Sequence, residues 1–228
     1  MPRGHPPLRA VADSLAPRPA APAAVLAPAR PDGDATLDGA DLRRADLGTL
    51  DDVAILASRL DGVRAPGADW RGVNLTECTL DAVDLAGARL EDVGLAASSV
   101  ADARLTGATW LRAAWRDVAV RGGVAATMTF AQSRLRRVRF EGVDASGLEL
   151  IDTELTEVAF VDCDLRGARL GGARVRSDVV VVGCDLDGAT GLAALRGAQL
   201  GHGDAVSGLA SMAAELGIRI GDDLEVQR

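Results

Sequence analysis

The sequence predicts an all-β solenoid, a chain wound into stacked coils that pair their backbones with the coils above and below. Three observations predict it. Every position divisible by five from Leu50 to Val180 is apolar, 27 in succession, and 24 of these are larger than Ala. The position two residues before each of these centres is Gly, Ala, Ser, Thr, Cys or Val in 24 of 27 cases, with Met128, Leu148 and Asp178 as the exceptions. The position two residues after holds 10 Gly and 6 Asp. A period of five matches neither the 3.6 of a helix nor the 2 of a strand. The small residue and its centre are nevertheless two apart, a strand step that puts both on one face. Gly and Asp then tolerate the left-handed backbone of a corner, which resets the phase.

Composition agrees. Of 228 residues 48% are hydrophobic, enough for a packed core, yet aromatics are only 3%, with no Tyr. Such a core is filled by Leu, Val and Ala, which suits a narrow, regular interior. The net charge of −8, carried by 33 acids against 25 Arg and no Lys, argues against a general binder of nucleic acid or anionic membrane. Three Cys make neither a disulfide framework nor a zinc site. Arg3 and Arg9 are not followed by an uninterrupted apolar stretch, because Pro17, Pro19 and Pro22 break it. No signal peptide is expected, no run of 18 apolar residues suggests a membrane span, and the expected location is the cytoplasm.

Taken along the chain, residues 1–33 hold eight of the nine Pro with runs of Ala and no period, and read as a disordered or extended tail. Residues 34–203 form the rod. Its first centres are Leu37, Leu42 and Leu47, after which the register slips by two before Leu50. The register then runs unbroken to Val180. Leu186 arrives one residue late, and 191–194 is irregular before Leu195 and Leu200. In residues 204–228 a helix is expected over 204–216, with Asp204 as N-cap, Gly217 as C-cap and an apolar stripe of Val206, Leu209, Met212, Ala213 and Leu216. It would cover the open end of the solenoid or pair with a second copy.

The pieces GADLRRADL (39–47), GVNL (72–75), AVDLAGARL (82–90) and CDLRGARLGGARV (163–175) resemble the repeat of pentapeptide-repeat proteins, roughly Ala-Asp/Asn-Leu-X-X. The resemblance covers about residues 35–200. It implies a right-handed quadrilateral β-helix with four pentapeptides per coil, hence about eight coils and, at ~4.8 Å each, a rod of roughly 40 Å. It also implies a non-enzymatic role. Some members protect DNA gyrase and related type II topoisomerases from quinolones and are described as acidic mimics of duplex DNA that dimerise through the C-terminus. The large mid-rod loops of some quinolone-resistance members have no counterpart here.

No residue set points to catalysis, a metal or a cofactor. Cys163 and Cys184 precede centres and are 21 residues apart, as is fitting for two small core residues on adjacent coils; Cys78 is of the same kind. Trp70, Trp110 and Trp115 occupy centres, so they are expected inside. The glycine-rich pieces lack the strand–loop–helix setting of a phosphate site, and Ser207 and Ser211 have no His–Asp beside them. A left-handed β-helix acyltransferase fails on its period of six and its need for a placed His.

That leaves the surface. With 20 residues per coil, one side gathers Asp51, Asp52, Asp69, Glu91, Asp92, Glu149 and Asp152 against Arg71, Arg89, Arg112 and Arg169. This is the candidate partner-binding acidic side. The next side holds Arg116, Arg134, Arg136, Arg137, Arg174 and Arg176. Duplex DNA carries a charge per ~1.7 Å, about 23 over ~40 Å, whereas residues 34–228 carry a net −10. The expected function is a protein-binding rod, with gyrase or another type II topoisomerase as partner. The alternative is a scaffold docking another protein through the Arg-rich side or the tail.

Overall fold

The computed structural model describes residues 8–15, 27–28 and 36–220. The five-residue step produces short parallel strands that stack coil upon coil. We number the four faces in chain order from the first centre. Face 1 begins at Thr36–Asp38 and continues through Ala54–Leu56, Asn74–Thr76 and Gly94–Ala96. Further along, faces 1 and 2 share the longer strands Ala114–Arg121, Arg134–Glu141, Thr153–Val161 and Ala173–Val182. Face 3 is stitched by single bridges such as Arg64↔Asp84 and Asp144↔Asp164. Face 4 runs from Thr49–Asp51 through Asp69–Arg71, Arg89–Glu91, Thr109–Leu111 and Thr129–Ala131 to Glu149–Ile151. All pairing is parallel and in register, as in Leu50↔Trp70, Trp70↔Leu90 and Leu95↔Trp115.

Each five-residue unit points two side chains inward. Leu75, Leu85, Leu95 and their equivalents are buried, and so are the small residues before them, for example Val73, Val83 and Val93. The corner follows. Seventeen non-glycine residues, from Arg44 to Asp178, take positive φ there. Each pays roughly 1–2 kcal/mol for that, so the inter-coil ladder imposes the corner and glycine merely eases it. Hydrogen bonds such as Asp52 N–H to the Arg71 carbonyl (2.9 Å) and Asn74 N–H to the Val53 carbonyl (2.9 Å) supply that ladder.

The register departs from 20 in two places. Leu37 pairs with Ile55, so the first coil has two residues fewer, as the sequence indicates. The second departure corrects the sequence reading. Leu155 pairs with Val175 but Thr156 pairs with Ser177, a bulge at Arg176. Phe160 therefore faces Val181. The inward centre is Val181 and not Val180, and Val179, not Asp178, fills the small inward place.

The rings are not spread along the core. Trp110, Trp115, Phe130, Phe140 and Phe160 form one chain of contacts, with Trp110 edge-on to Trp115 at 4.8 Å and Phe140 stacked on Phe160 at 5.1 Å.

Both ends differ from expectation. Residues 8–14 of the tail form a helix, α1 (Leu8–Ser14), which packs on the outside of face 2. Ala27–Pro28 adds a strand beside Ala40–Asp41. The remainder of the expected disordered tail lies outside the described residues. At the other end the helix begins at His202 with Gly201 as N-cap, and Gly208 divides it into α2 (His202–Ser207) and α3 (Leu209–Glu215). Asp204 is no N-cap. It is buried, and its carboxylate accepts the Cys184 N–H of the last coil. Ser207 Oγ accepts the Leu186 N–H (3.0 Å), and Glu215 takes those of Leu192 (2.9 Å) and Ala193 (3.0 Å). Side chains of the helical cap thus do what a further coil would do for orphaned donors. Gly217, at φ 73, closes α3 as expected.

Candidate partner-binding surface

In-register stacking turns each outward position into a column of side chains spaced by one coil. On face 4 the columns bring together the acidic set expected from the sequence, but in two groups. Asp51, Asp69 and Glu91 flank their centres within strands, while Asp52 and Asp92 sit at left-handed corners (φ 51 and 55). Glu149 and Asp152 lie three coils beyond Glu91, ~14 Å further. The intervening columns hold Thr109 and Thr129, and Leu111, Ala131 and Ile151, the last 43% exposed.

The acids alternate with Arg along and across these columns. Asp51 stacks on Arg71 and Arg71 on Glu91; Asp69 stacks on Arg89. Asp69 pairs with Arg71 (3.0 Å), Glu149 with Arg169 (3.8 Å) and Asp152 with Arg174 (2.6 Å). Arg112 bridges Glu91 and Asp92, approaching the latter to 2.8 Å. Its hydrogen bonds hold both carboxyls below their ordinary values. Among the described residues, Asp51 and Asp52 are the two of the seven without an ion pair.

The Arg-rich side on face 1 is likewise interlocked. Arg137 binds Asp117 (2.5 Å), Arg134 lies 3.7 Å from Glu154, and Arg176 pairs with the same Glu154. Hydrogen bonds from these guanidinium groups hold Asp117 and Glu154 low. Arg136 is exposed and has no carboxylate within pairing distance among the described residues. Face 2 carries one carboxyl shifted the other way. Burial, then the charges of Asp61 and Asp102 on the neighbouring coils, push Asp81 up.

At the C-terminal end the expected stripe divides. Val206, Leu209 and Leu216 are exposed at 59%, 53% and 76%, while Ala213 is buried and Met212 packs against the core. Ile218 and Ile220, which the stripe did not include, add to the exposed apolar surface.

Nothing among the described residues assembles a reactive centre. No group of three or more His, Cys, Asp or Glu is placed to hold a metal. Cys78, Cys163 and Cys184 are free and buried, and burial pushes the Cys78 thiol up to about 11. The Cys163 N–H meets Cys184 Sγ at 3.4 Å, so these two do stack on adjacent coils. Trp70, Trp110 and Trp115 are all inside. No helix is long and apolar enough to cross a membrane.

Comparison with known proteins is consistent with this picture of a repeat-built rod. HetL of the cyanobacterium Nostoc, a pentapeptide-repeat protein involved in regulating heterocyst differentiation, is 20% identical over 74% of this chain and 84% of its own, with a TM-score of 0.38. Two structures of QnrB1, a plasmid-mediated fluoroquinolone resistance protein, are 14% and 15% identical. They cover 82% and 86% of this chain and 95% and 99% of their own, with TM-scores of 0.31 and 0.33. The search of curated proteins returned no match. A family model described as pentapeptide repeats matches in eight copies over residues 58–93 and 133–172. Its unit is the five-residue step that builds every face of the rod, and the chain belongs to the pentapeptide-repeat family.

Proposed function

We propose that the protein is a non-catalytic rod that binds another protein along face 4, acts in the reducing cytoplasm where its free thiols persist, and has DNA gyrase or another type II topoisomerase as its partner. The observation that carries this reading is the composition of face 4. It is a flat strip of coil-spaced side chains, acidic toward one end and again at Glu149 and Asp152, with Thr and exposed apolar columns between. Such a strip suits a protein surface that supplies cations and a flat apolar patch. It does not suit imitation of duplex DNA by charge density alone, since five of its seven acids are already paired with Arg. The test is supercoiling by purified gyrase, with and without a quinolone, over a titration of the protein. Altered supercoiling or reduced drug inhibition is expected, and Asp51→Arg with Asp52→Arg should weaken it. No effect in either assay overturns the topoisomerase reading.

The second reading, a scaffold docking a different protein through face 1, is favoured by the exposed, unpaired Arg136. Arg136→Glu separates the two, because it leaves the face 4 effect on gyrase intact and removes only a face 1 interaction.

We also propose that two copies pair through Val206, Leu209 and Leu216, with Ile218 and Ile220 at the edge, an apolar surface of the kind that marks association sites. Light scattering should give a dimer mass and Leu209→Asp a monomer. A monomeric wild-type chain at high concentration rejects the pairing.

A further inference from the structure

The outer surface of face 2 changes character along the rod. Near its start the outward positions are Asp61, Thr79, Asp81 and Ser99; on the later coils they are Ala159, Val161, Val180 and Val182. The bulge at Arg176 contributes, since it turns Val180 and Val182 outward. Four neighbouring apolar residues on the outside of a parallel sheet form a surface that must be covered.

α1 covers it. Leu8, Val11, Ala12 and Leu15 form an i, i+3, i+4, i+7 stripe against the patch, and Ala12, Ala159, Val161 and Val180 are at most 1% exposed. Two ion pairs frame the contact. The Arg9 guanidinium donates twice to the Asp162 carboxylate, once at 2.9 Å, and Asp13 pairs with Arg139 at 3.1 Å. Arg139 is only 8% exposed, and its Nη1 has no partner. Four residues of helix rise ~6 Å, close to the ~4.8 Å between coils. Arg9 and Asp13 can therefore address consecutive coils.

We propose that this stretch of face 2 is a docking site for a short amphipathic helix. It is held shut in the resting chain by α1 and taken, when α1 lifts, by a partner helix of the same pattern: apolar at i, i+3, i+4 and i+7, Arg at i+1, Asp at i+5. The occupant in the resting state is residues 8–15 of the same chain. The twelve Cα steps from Leu15 to Ala27 reach at most ~40 Å. The coil of Asp41, beside which Pro28 pairs, lies six coil spacings, ~29 Å, from that of Ala159. The contact can open without disturbing the rod. Among the described residues no backbone hydrogen bond joins α1 to a coil, and a seven-residue helix does not persist alone in water. The tether raises the local concentration of α1, so a free competitor must overcome it.

The experiment uses the full chain. Ala12→Asp places a charge at the centre of the contact and touches no coil, so thermal unfolding of the rod should stay within a few degrees while residues 8–15 lose hydrogen-exchange protection. A labelled peptide of residues 6–17 should then bind the variant at least tenfold more tightly than the wild-type chain, whose own helix excludes it. Adding Val161→Asp to the variant should abolish peptide binding. Equal binding to wild type and variant, undiminished exchange protection in the variant, or binding that survives Val161→Asp overturns the proposal. Sedimentation of the wild type provides the remaining outcome. A dimer that Ala12→Asp dissolves would show that α1 is supplied by a second copy and would overturn the closed single chain.

Discussion

Asp204 is the one buried carboxylate among the described residues, and its task follows from where the solenoid stops. The final coil has no successor to accept its N–H groups, and an unpaired buried donor costs ~1–3 kcal/mol. Asp204→Ala should therefore lower the unfolding free energy by about that amount in a urea titration. Asp204→Asn, which keeps an acceptor, should lose less. Equal stability of Asp204→Ala and wild type would show that water substitutes for the carboxylate. The same residue shows the limit of reading side chains from sequence. Asp before an apolar stripe is the ordinary signature of a helix N-cap, and only the position of the last coil tells the two uses apart. The inward centres, by contrast, were legible because a solenoid repeats the same test every five residues. The exception is the run Val179–Val182. Four identical residues read equally well in either register, so nothing marks the bulge at Arg176 that turns Val181 inward.

The elements were legible in proportion to how often they repeat. The rod has many copies of its signal, while α1 has one. Its stripe of Leu8, Val11, Ala12 and Leu15 is present in the sequence, but flanking Pro residues mask it, and its apolar floor consists of residues on coils far along the chain. The grouping of acids on face 4 was legible from the coil length. Their neutralisation was less so, because pairs such as Arg112–Asp92 and Arg174–Asp152 depend on how long side chains reach between coils. Ion pairs also give α1 a pH dependence. The hydrogen bond from Arg9 holds the Asp162 carboxyl below its ordinary value. A lowered folded value stabilises the docked form above the unfolded value of about 3.9, and that contribution is lost as the pH falls through the folded value. Protection of residues 8–15 in hydrogen exchange, corrected for intrinsic rates, should accordingly hold from pH 7 to about 5 and decline below about 4. Protection that is flat down to pH 3 would mean the apolar contact alone holds the helix.

For the whole molecule, the constant spacing makes the coil a removable unit. Thr79 pairs with Ser99, Leu80 with Val100 and Leu90 with Trp110, each 20 residues apart. Deleting residues 79–98 joins Cys78 to Ser99 and presents every later side chain to the coil below in its old orientation. Thr109 then meets Asp69, and Trp110 meets Trp70, on face 4. In a solenoid, stability is close to a sum over coils and their interfaces. The shortened chain should thus fold, with unchanged strand content by circular dichroism and an unfolding midpoint lowered by the loss of one coil. Deleting residues 79–97 removes one residue fewer, and the outcome should be opposite. Ser99 would take the inward place of Leu80 and Val100 would turn to water, and the same inversion would follow at each later centre. That chain should be insoluble or unfolded. The two deletions differ by a single residue and remove nearly the same apolar surface, so a difference between them measures register alone. Equal behaviour would mean that the coils tolerate slippage and that the five-residue period does not govern the fold.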